Sequence, residues 1–167
     1  YKLEIIIIIT MIISGIPFVL LIQFLGGKFN PLFKNQQVKF FLSVILISVS
    51  VVTIWLISNQ NMSSLEAFRV ASFNVISIVT TTGYVTDNYY LWGSFAVIFF
   101  YMLSMTGGCT GSTSGSIKCF RYIILYQNSK AQIQKLIHPH GIFQPKFNNK
   151  QISDNATTSV VSFIVLF

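Results

Sequence analysis

Charge is scarce in this sequence. Asp, Glu, Lys and Arg make up 9% of its 167 residues, where an ordinary soluble domain carries roughly 25%. Acidic side chains are scarcer still: Glu4, Glu66, Asp87 and Asp154 are the whole set. A water-facing surface cannot be covered at that rate, which excludes a soluble globular domain. Histidine is nearly missing too, with His138 and His140 only. No Ser/His/Asp set, carboxylate pair or HExxH helix can be built from these residues where they stand, so the chain is not expected to be an enzyme. His138-Pro139-His140 has no further ligands beside it and reads as a solvated loop. The two cysteines, Cys109 and Cys119, give neither a disulfide framework nor a metal-site spacing. Both read as unpaired thiols, and no cofactor is expected in the chain.

What the sequence has in quantity is apolar. Hydrophobic residues reach 53% and aromatics 15%, with 16 phenylalanines, a composition suited to lipid contact and membrane interfaces. The formal net charge is +7, but the lysines stand between apolar runs rather than on one face. They read as topology signals, and nucleic acid is not an expected partner. The start, YKLEIIIIIT, has no initiating Met and lacks the basic start, short apolar core and cleavage site of a signal peptide. The sequence stops at Phe167 inside another apolar run. Both ends look cut, and the expectation is a fragment of something larger.

The apolar runs set the organisation. Ile5 to Leu25 is long enough to cross a bilayer, which takes about 20 residues. Gly15-Ile16-Pro17 interrupts it and predicts a kink, either an ordinary kinked span or a functional break. Gly26 to Lys39 is polar and basic. Phe40 to Ser58 is the cleanest transmembrane helix, with Trp55 near its far end at interface depth. Ser63 and Glu66 have the spacing of a capping box, so a helix is expected from about Leu65 to the threonines at 80–82. It is too short and too rich in small and polar residues to be a lipid-facing span, and it reads as re-entrant. From Ser94 to Tyr126 a single straight helix would measure about 50 Å. Two half-helices joined by a loop over Thr106–Ser116 fit the bilayer better. A basic linker over 127–154 and a last apolar run complete the chain.

The charges support re-entry on separate grounds. If 65–90 dips in and out, Lys28, Lys34, Lys39, Lys118, Arg121, Lys130, Lys135, Lys146 and Lys150 all fall on one side. Glu66, Arg69 and Asp87 fall on the other. The positive-inside rule then puts both basic linkers in the cytoplasm and the threonines near the outer face.

An outer helix, a short re-entrant helix, a Thr/Gly loop and an inner helix are the parts of a cation-channel pore repeat. Its filter uses backbone carbonyls in place of the ion's water shell, which asks for an extended segment. Gly83 permits backbone conformations barred to other residues, and a Thr hydroxyl adds an oxygen ligand. The C-terminal end of the re-entrant helix favours a cation. The plainer alternative for TTTGY is a Thr-rich turn on a helical hairpin, which the flanking spans and charges disfavour. The run GCTGSTSGSIK has the flavour of a phosphate loop, but Lys118 follows Ile117 where Walker A needs Gly-Lys-Ser/Thr. Gly107, Gly111 and Gly115 also stand at GxxxG spacing, so plain helix packing stays open for them.

SIVTTTGY over 77–84 resembles the filter segment of the Trk/Ktr/HKT superfamily of potassium transporters, in particular its TrkH-like membrane subunits. Their subunits are four fused pore repeats. MTGGCTGSTSGSIKCFR over 105–121 is similar to the glycine-rich break in the inner helix of that family's third repeat. LIHPHGIFQPKFNNKQISD resembles its linker between third and fourth repeats, and SGIPFVLLIQFLGGKF the end of the second repeat's inner helix. The likeness covers nearly the whole chain in the right order.

The resemblance implies an all-α membrane protein. Residues 1–27 would end the preceding repeat's inner helix and 28–39 form a cytoplasmic linker. Residues 40–126 would make one complete repeat, with outer helix 40–58, pore helix 65–79, filter 80–84 and inner helix 94–126 broken at 106–116. A cytoplasmic linker over 127–154 and the next outer helix at 155–167 would follow. Thr80, Thr81, Thr82 and Gly83 would line the filter with Tyr84 behind it, and potassium would be held at Thr81, Thr82 and Gly83. Tyr84 stands where the family commonly has Phe, and Val85 where a second filter glycine would be.

The gate would be Gly107, Gly108, Cys109, Thr110, Gly111, Ser112, Thr113, Ser114, Gly115 and Ser116. Ser114 and Ser116 replace typical glycines, which implies a stiffer loop. Lys118 and Arg121 would follow at the cytoplasmic end. The function implied is passive potassium uptake, with potassium as substrate, through a multi-pass protein of the bacterial inner membrane. The implied partners are the lipid bilayer, the remaining repeats, a second copy in a homodimer and a cytoplasmic nucleotide-binding regulatory subunit. A single-repeat channel working as a homotetramer and a non-conducting piece of a split gene are the competing expectations.

Overall fold

A computed structural model describes residues 2–138, 144–148 and 150–167. His140 and Pro139 lie outside the described residues. Among the described residues the chain is helical, with one two-residue β-ladder. Helices α1 (Lys2–Ser14) and α2 (Phe18–Leu25) meet at a bend of 108°. Pro17, which has no N–H to donate, sits at the N-cap of α2 with extended backbone. The two helices are apolar enough to count together as one broken span.

A short helix, α3 (Asn30–Lys34), and then α4 (Gln36–Gln60) follow. Apolarity alone starts the long helix at 40 and leaves 28–39 as a linker. Pro31 in the first turn of α3 and an Asn35 cap explain the difference. The Asn35 side chain accepts the Gln37 N–H at 2.9 Å and starts α4 four residues earlier than apolarity alone suggests. At 25 residues α4 is about 37 Å long, and it is long and apolar enough to cross a membrane by itself. Asn61, left-handed at φ 52°, ends it.

Helix α5 (Ser64–Val79) turns back from there. Ser63 occupies the N-cap position, but its hydroxyl makes no cap bond, so the expected capping box is not formed. At about 24 Å, α5 is too short to span a bilayer. It packs chiefly on α4, with α1 and α6 beside it. Ala67, Ala71, Val75 and Val79 are buried, and Phe41, Val52 and Leu56 of α4 are buried in the same core.

After α5 the chain returns through a 3-10 turn (Tyr89–Trp92) to α6 (Ser94–Ser104). The Trp55 indole N–H donates to the Trp92 carbonyl at 3.0 Å, and its ring lies 4.5 Å from that of Phe95. The end of α4, the start of α5 and the start of α6 therefore share one end of the molecule, and α5 with its return forms a hairpin. Glu4 and Arg69 pair on the α1 side of that hairpin at 2.9 Å.

The chain leaves α6 for an irregular stretch over 105–118 and resumes in α7 (Cys119–Ile137). Sequence apolarity ended this second half at Tyr126 and made the rest linker. In fact the helix runs on to Ile137, because QNSKAQIQKLI loses apolarity but contains no Gly or Pro and many good helix formers. A β-hairpin pairs β1 (Lys146–Phe147) with β2 (Lys150–Gln151). Asn148 and Gln36 exchange hydrogen bonds of 3.1 and 3.3 Å, clipping the hairpin to the start of α4. Helix α8 (Asp154–Leu166) packs on α7. The basic segments around Lys34, Lys39 and Lys146 thus gather at the end of α4 away from Trp55.

The bend at Gly15 is packed without slack. A Cβ there would fall on the ring of Phe41, which is fully buried. Gly15→Ala is expected to lower stability by about 1–3 kcal/mol through overpacking. This would appear as a fall in melting temperature in detergent, and Phe41→Leu in the same chain should recover part of the loss.

Candidate functional site

The end of α5 builds the first half of the site. Thr80 caps the helix, the Thr81 N–H donates to the Ile78 carbonyl at 3.0 Å and the Thr82 N–H to the Ser77 carbonyl at 2.9 Å. This is the Schellman pattern, with Thr81 in the left-handed position that glycine usually takes. Thr81 has φ 56°, and a β-branched residue there is strained. Thr80 and Thr81, expected to begin an extended segment, instead form this tight turn themselves. The Thr80 hydroxyl is committed inward, donating to the Ile76 carbonyl at 2.7 Å and lying 2.8 Å from the Thr82 hydroxyl. Thr81, Thr82, Gly83 and Tyr84 are exposed. Gly83 at φ 79° has open space around its Cα.

Asn74 holds the returning strand and was not singled out from the sequence. Its side chain is almost fully buried and donates to the Val70 carbonyl at 2.9 Å and the Thr86 hydroxyl at 3.1 Å. Its Oδ1 accepts the Thr86 N–H at 3.4 Å. A buried Asn on an apolar helix face was the available signal. Beyond it, Asp87 accepts from the Trp92 indole at 3.2 Å and fixes the turn back to α6.

The glycine-rich stretch builds the second half. Thr106 and Ile117 form a parallel bridge, the Gly107 N–H donating to the Ile117 carbonyl at 2.9 Å and the Ile117 N–H to the Met105 carbonyl at 3.2 Å. A Cβ on Gly107 would strike the Gly115 carbonyl, and one on Gly108 the Ser114 hydroxyl. These glycines serve close backbone approach in a loop. The stretch is not helical, so the helix-packing reading of its GxxxG spacing does not hold. The Gly108 N–H donates to Ser114 Oγ at 2.8 Å, Ser112 Oγ lies 3.0 Å from Ser114 Oγ, and Ser112 Oγ donates to the Cys109 carbonyl at 2.6 Å. Ser116, left-handed at φ 56°, donates its hydroxyl to the Ser104 carbonyl at 2.6 Å. These three serines bond the loop to itself or to α6. Cys109 and Cys119 are buried free thiols, and no group of three or more His, Cys, Asp or Glu among the described residues could hold a metal.

Hydrogen bonds to the bend at 14–18, to Gln37 and to Thr81 fix the loop to its surroundings. The Cys109 N–H donates to the Gly15 carbonyl at 3.0 Å, the Thr113 N–H to the Ser14 carbonyl at 3.3 Å, and the Phe18 N–H to the Gly111 carbonyl at 3.0 Å. The Thr110 N–H donates to Gln37 Oε1 at 2.8 Å. The Gly115 N–H donates to Thr81 Oγ1 at 2.7 Å, which joins the threonine turn directly to the glycine loop. Lys118 and Arg121 diverge. The Lys118 ammonium turns back to the Ser112 and Ser114 carbonyls, whereas the Arg121 guanidinium lies 3.8 Å over the ring of Phe163 in α8.

These features define a helical membrane protein with two interlocked helix breaks and an exposed hydroxyl-rich turn. The TrkH family profile, described as a cation transport protein, matches residues 1–167. The chain belongs to the TrkH family, whose members are transporters and not enzymes. It is 40% identical over 157 residues to the Trk system potassium uptake protein TrkI of Halomonas elongata, covering 94% of this chain and 32% of that protein. To TrkG of Escherichia coli, another Trk system potassium uptake protein, it is 33% identical over 139 residues, covering 83% of this chain and 28% of that one. The crystal structure of the potassium transporter TrkH from Vibrio parahaemolyticus shares the fold at a TM-score of 0.89 and 24% identity, over 97% of this chain and 36% of that one. The chain spans about a third of the length of the curated relatives it matches.

The Thr81–Gly115 bond can be tested alone. Thr81→Val keeps the branched shape and removes the acceptor, and should speed hydrogen exchange at the Gly115 amide by about two- to tenfold. Thr81→Ser should leave that amide protected. Exchange measured in a lipid nanodisc reads both.

Proposed function

We propose that this chain holds the end of one pore repeat, one complete repeat and the start of the next, out of the four repeats of a Trk-type protein that takes up potassium through the bacterial inner membrane. The observation that carries the reading is the Thr81–Gly115 bond, which sets the glycine-rich loop directly against an exposed threonine turn. In this reading α4 is the outer helix, α5 the pore helix, 80–84 the filter and α6 with α7 the broken inner helix. The last turn of α5 carries no basic side chain, so its partial negative charge is free to favour a cation. Thr81, Thr82 and Gly83 supply carbonyl and hydroxyl oxygens, the ligands a hard monovalent cation needs when its water is stripped. Conduction is passive. The loop over 107–116 is the gate, and because it abuts Thr81 it must shift before an ion can leave the filter.

The remainder of the other three repeats comes from the rest of a longer protein, which works as a homodimer with a cytoplasmic nucleotide-binding subunit. The basic end around Lys34, Lys39 and Lys146 faces the cytoplasm and is the surface such a subunit would meet.

Potassium uptake in a bacterium lacking its own uptake systems tests this. The full-length protein containing this segment should restore growth at low potassium, and this chain alone should not. Uptake by this chain alone would overturn the reading in favour of a self-assembling single-repeat channel. Failure of both would leave a non-conducting protein. Gly83→Ala should weaken discrimination of potassium over sodium by about tenfold, since a Cβ in the left-handed region costs about 1–2 kcal/mol.

A further inference from the structure

We propose that the Lys118 ammonium is a tethered cation that fills a monovalent-cation site in the loop, made by the Ser112 and Ser114 carbonyls, and so competes with the permeating ion. The proposal rests on the reading of 107–116 as the gate. Lys118 occupies the N-cap position of α7, where the helix dipole opposes a positive charge. A cation at membrane depth also needs a partner. Yet its ammonium does not turn to a carboxylate. The ion pair found among the described residues joins Arg69 to Glu4 at the other end of the molecule. Asp87 is engaged by Trp92 and Asn88, and Glu66 lies in the first turn of α5. Lys118 instead bends back and donates to the carbonyl of Ser112 at 3.3 Å and to that of Ser114.

The ligands are thus neutral backbone oxygens, the same chemistry that replaces the water shell of a monovalent cation. They are also held in place. Ser114 is buried, and its hydroxyl is fixed by the Gly108 N–H and Ser112. The residue after Ser114 is Gly115, whose N–H is bound to Thr81. The carbonyl pair therefore stands one residue from the contact between gate and filter. An ammonium seated there adds positive charge to the ion's exit and ties α7 to the loop. An arriving potassium ion must displace it or be repelled by it. Arg121 does not substitute, because its guanidinium is stacked on Phe163.

The test uses the full-length protein carrying this segment, reconstituted in liposomes, with rubidium influx as the readout. Lys118→Met should raise influx by about tenfold, the size expected for losing a charged hydrogen bond that holds the closed state. Lys118→Arg should keep influx low. Lys118→Cys should behave like Lys118→Met. Alkylating that folded protein with 2-bromoethylamine, in which the thiolate displaces bromide and leaves a thioether-linked ammonium, should return influx to the unsubstituted level. Iodoacetamide, which adds a neutral group, should not. Unsubstituted protein treated with both reagents controls for Cys109 and Cys119. Unchanged influx in Lys118→Met, or equal effects of the two alkylating agents, would overturn the tethered-cation proposal while leaving the conduction reading intact. Absence of rubidium influx in the unsubstituted protein would sink both.

Discussion

The structure depends on one constraint: a backbone group freed inside a bilayer must find its partner within the protein. Two helices break in this chain, and each break answers the other. The bend at 15–17 frees the carbonyls of Ser14 and Gly15 and the N–H of Phe18. The stretch after α6 supplies Thr113, Cys109 and Gly111 to meet them. Neither break is a local defect, because neither is satisfied alone. Pro17 removes a donor at the point where the chain must turn, and Gly15 lets the Phe41 ring sit against the backbone. The bent first span is therefore part of the frame that fixes the glycine loop, and through Gly115 it reaches Thr81.

That chain of contacts explains a strained position. A Thr at φ 56° is costly, and a glycine would close the same Schellman turn at less cost. A glycine would have no hydroxyl to accept the Gly115 N–H. The threonine offsets its backbone strain with a contact that only a side-chain oxygen makes. Ser116 follows the same logic, left-handed and bonded to the end of α6. Both residues place a hydroxyl where conformation alone favours glycine, and both sit at the junction between turn and loop. The stiffening expected from Ser114 and Ser116 thus has identifiable hydrogen bonds behind it.

Much of this was legible in the sequence, for reasons that can be stated residue by residue. Apolar length gave α4 and the half-helices flanking the loop, because burial in lipid leaves a direct compositional trace. Gly15-Ile16-Pro17 and the run 106–116 announced their breaks, since glycine and proline act locally. The extension of α7 past Tyr126 was missed because hydropathy reports the membrane edge and not the helix edge. The turn at Thr81 was missed because a β-branched residue is a poor candidate for the left-handed region, and only a contact 34 residues away makes it tenable. The role of Asn74 and the pairing of the loop with Ser14 and Gly15 depend on contacts across the fold, which no local spacing encodes.

The outer faces carry the complementary argument. The polar backbone of the breaks is satisfied inside, but large apolar side chains remain uncovered on several helices, among them Leu46, Ile54, Leu65 and Phe68. An apolar groove of about 620 Å³ runs between α1, α4 and α5, lined by Ile5, Ile8, Leu46, Val49, Phe68 and Ile76. Lipid can cover the outward parts of this surface, since it has no need of shape. The groove also reaches Ser72 and Ile76 on α5, the helix that ends in the threonine turn. Flexible acyl chains packed there would leave α5 poorly fixed, and under the proposed filter reading the helix must be held to within about half an ångström. A packed protein neighbour meets that demand better than lipid.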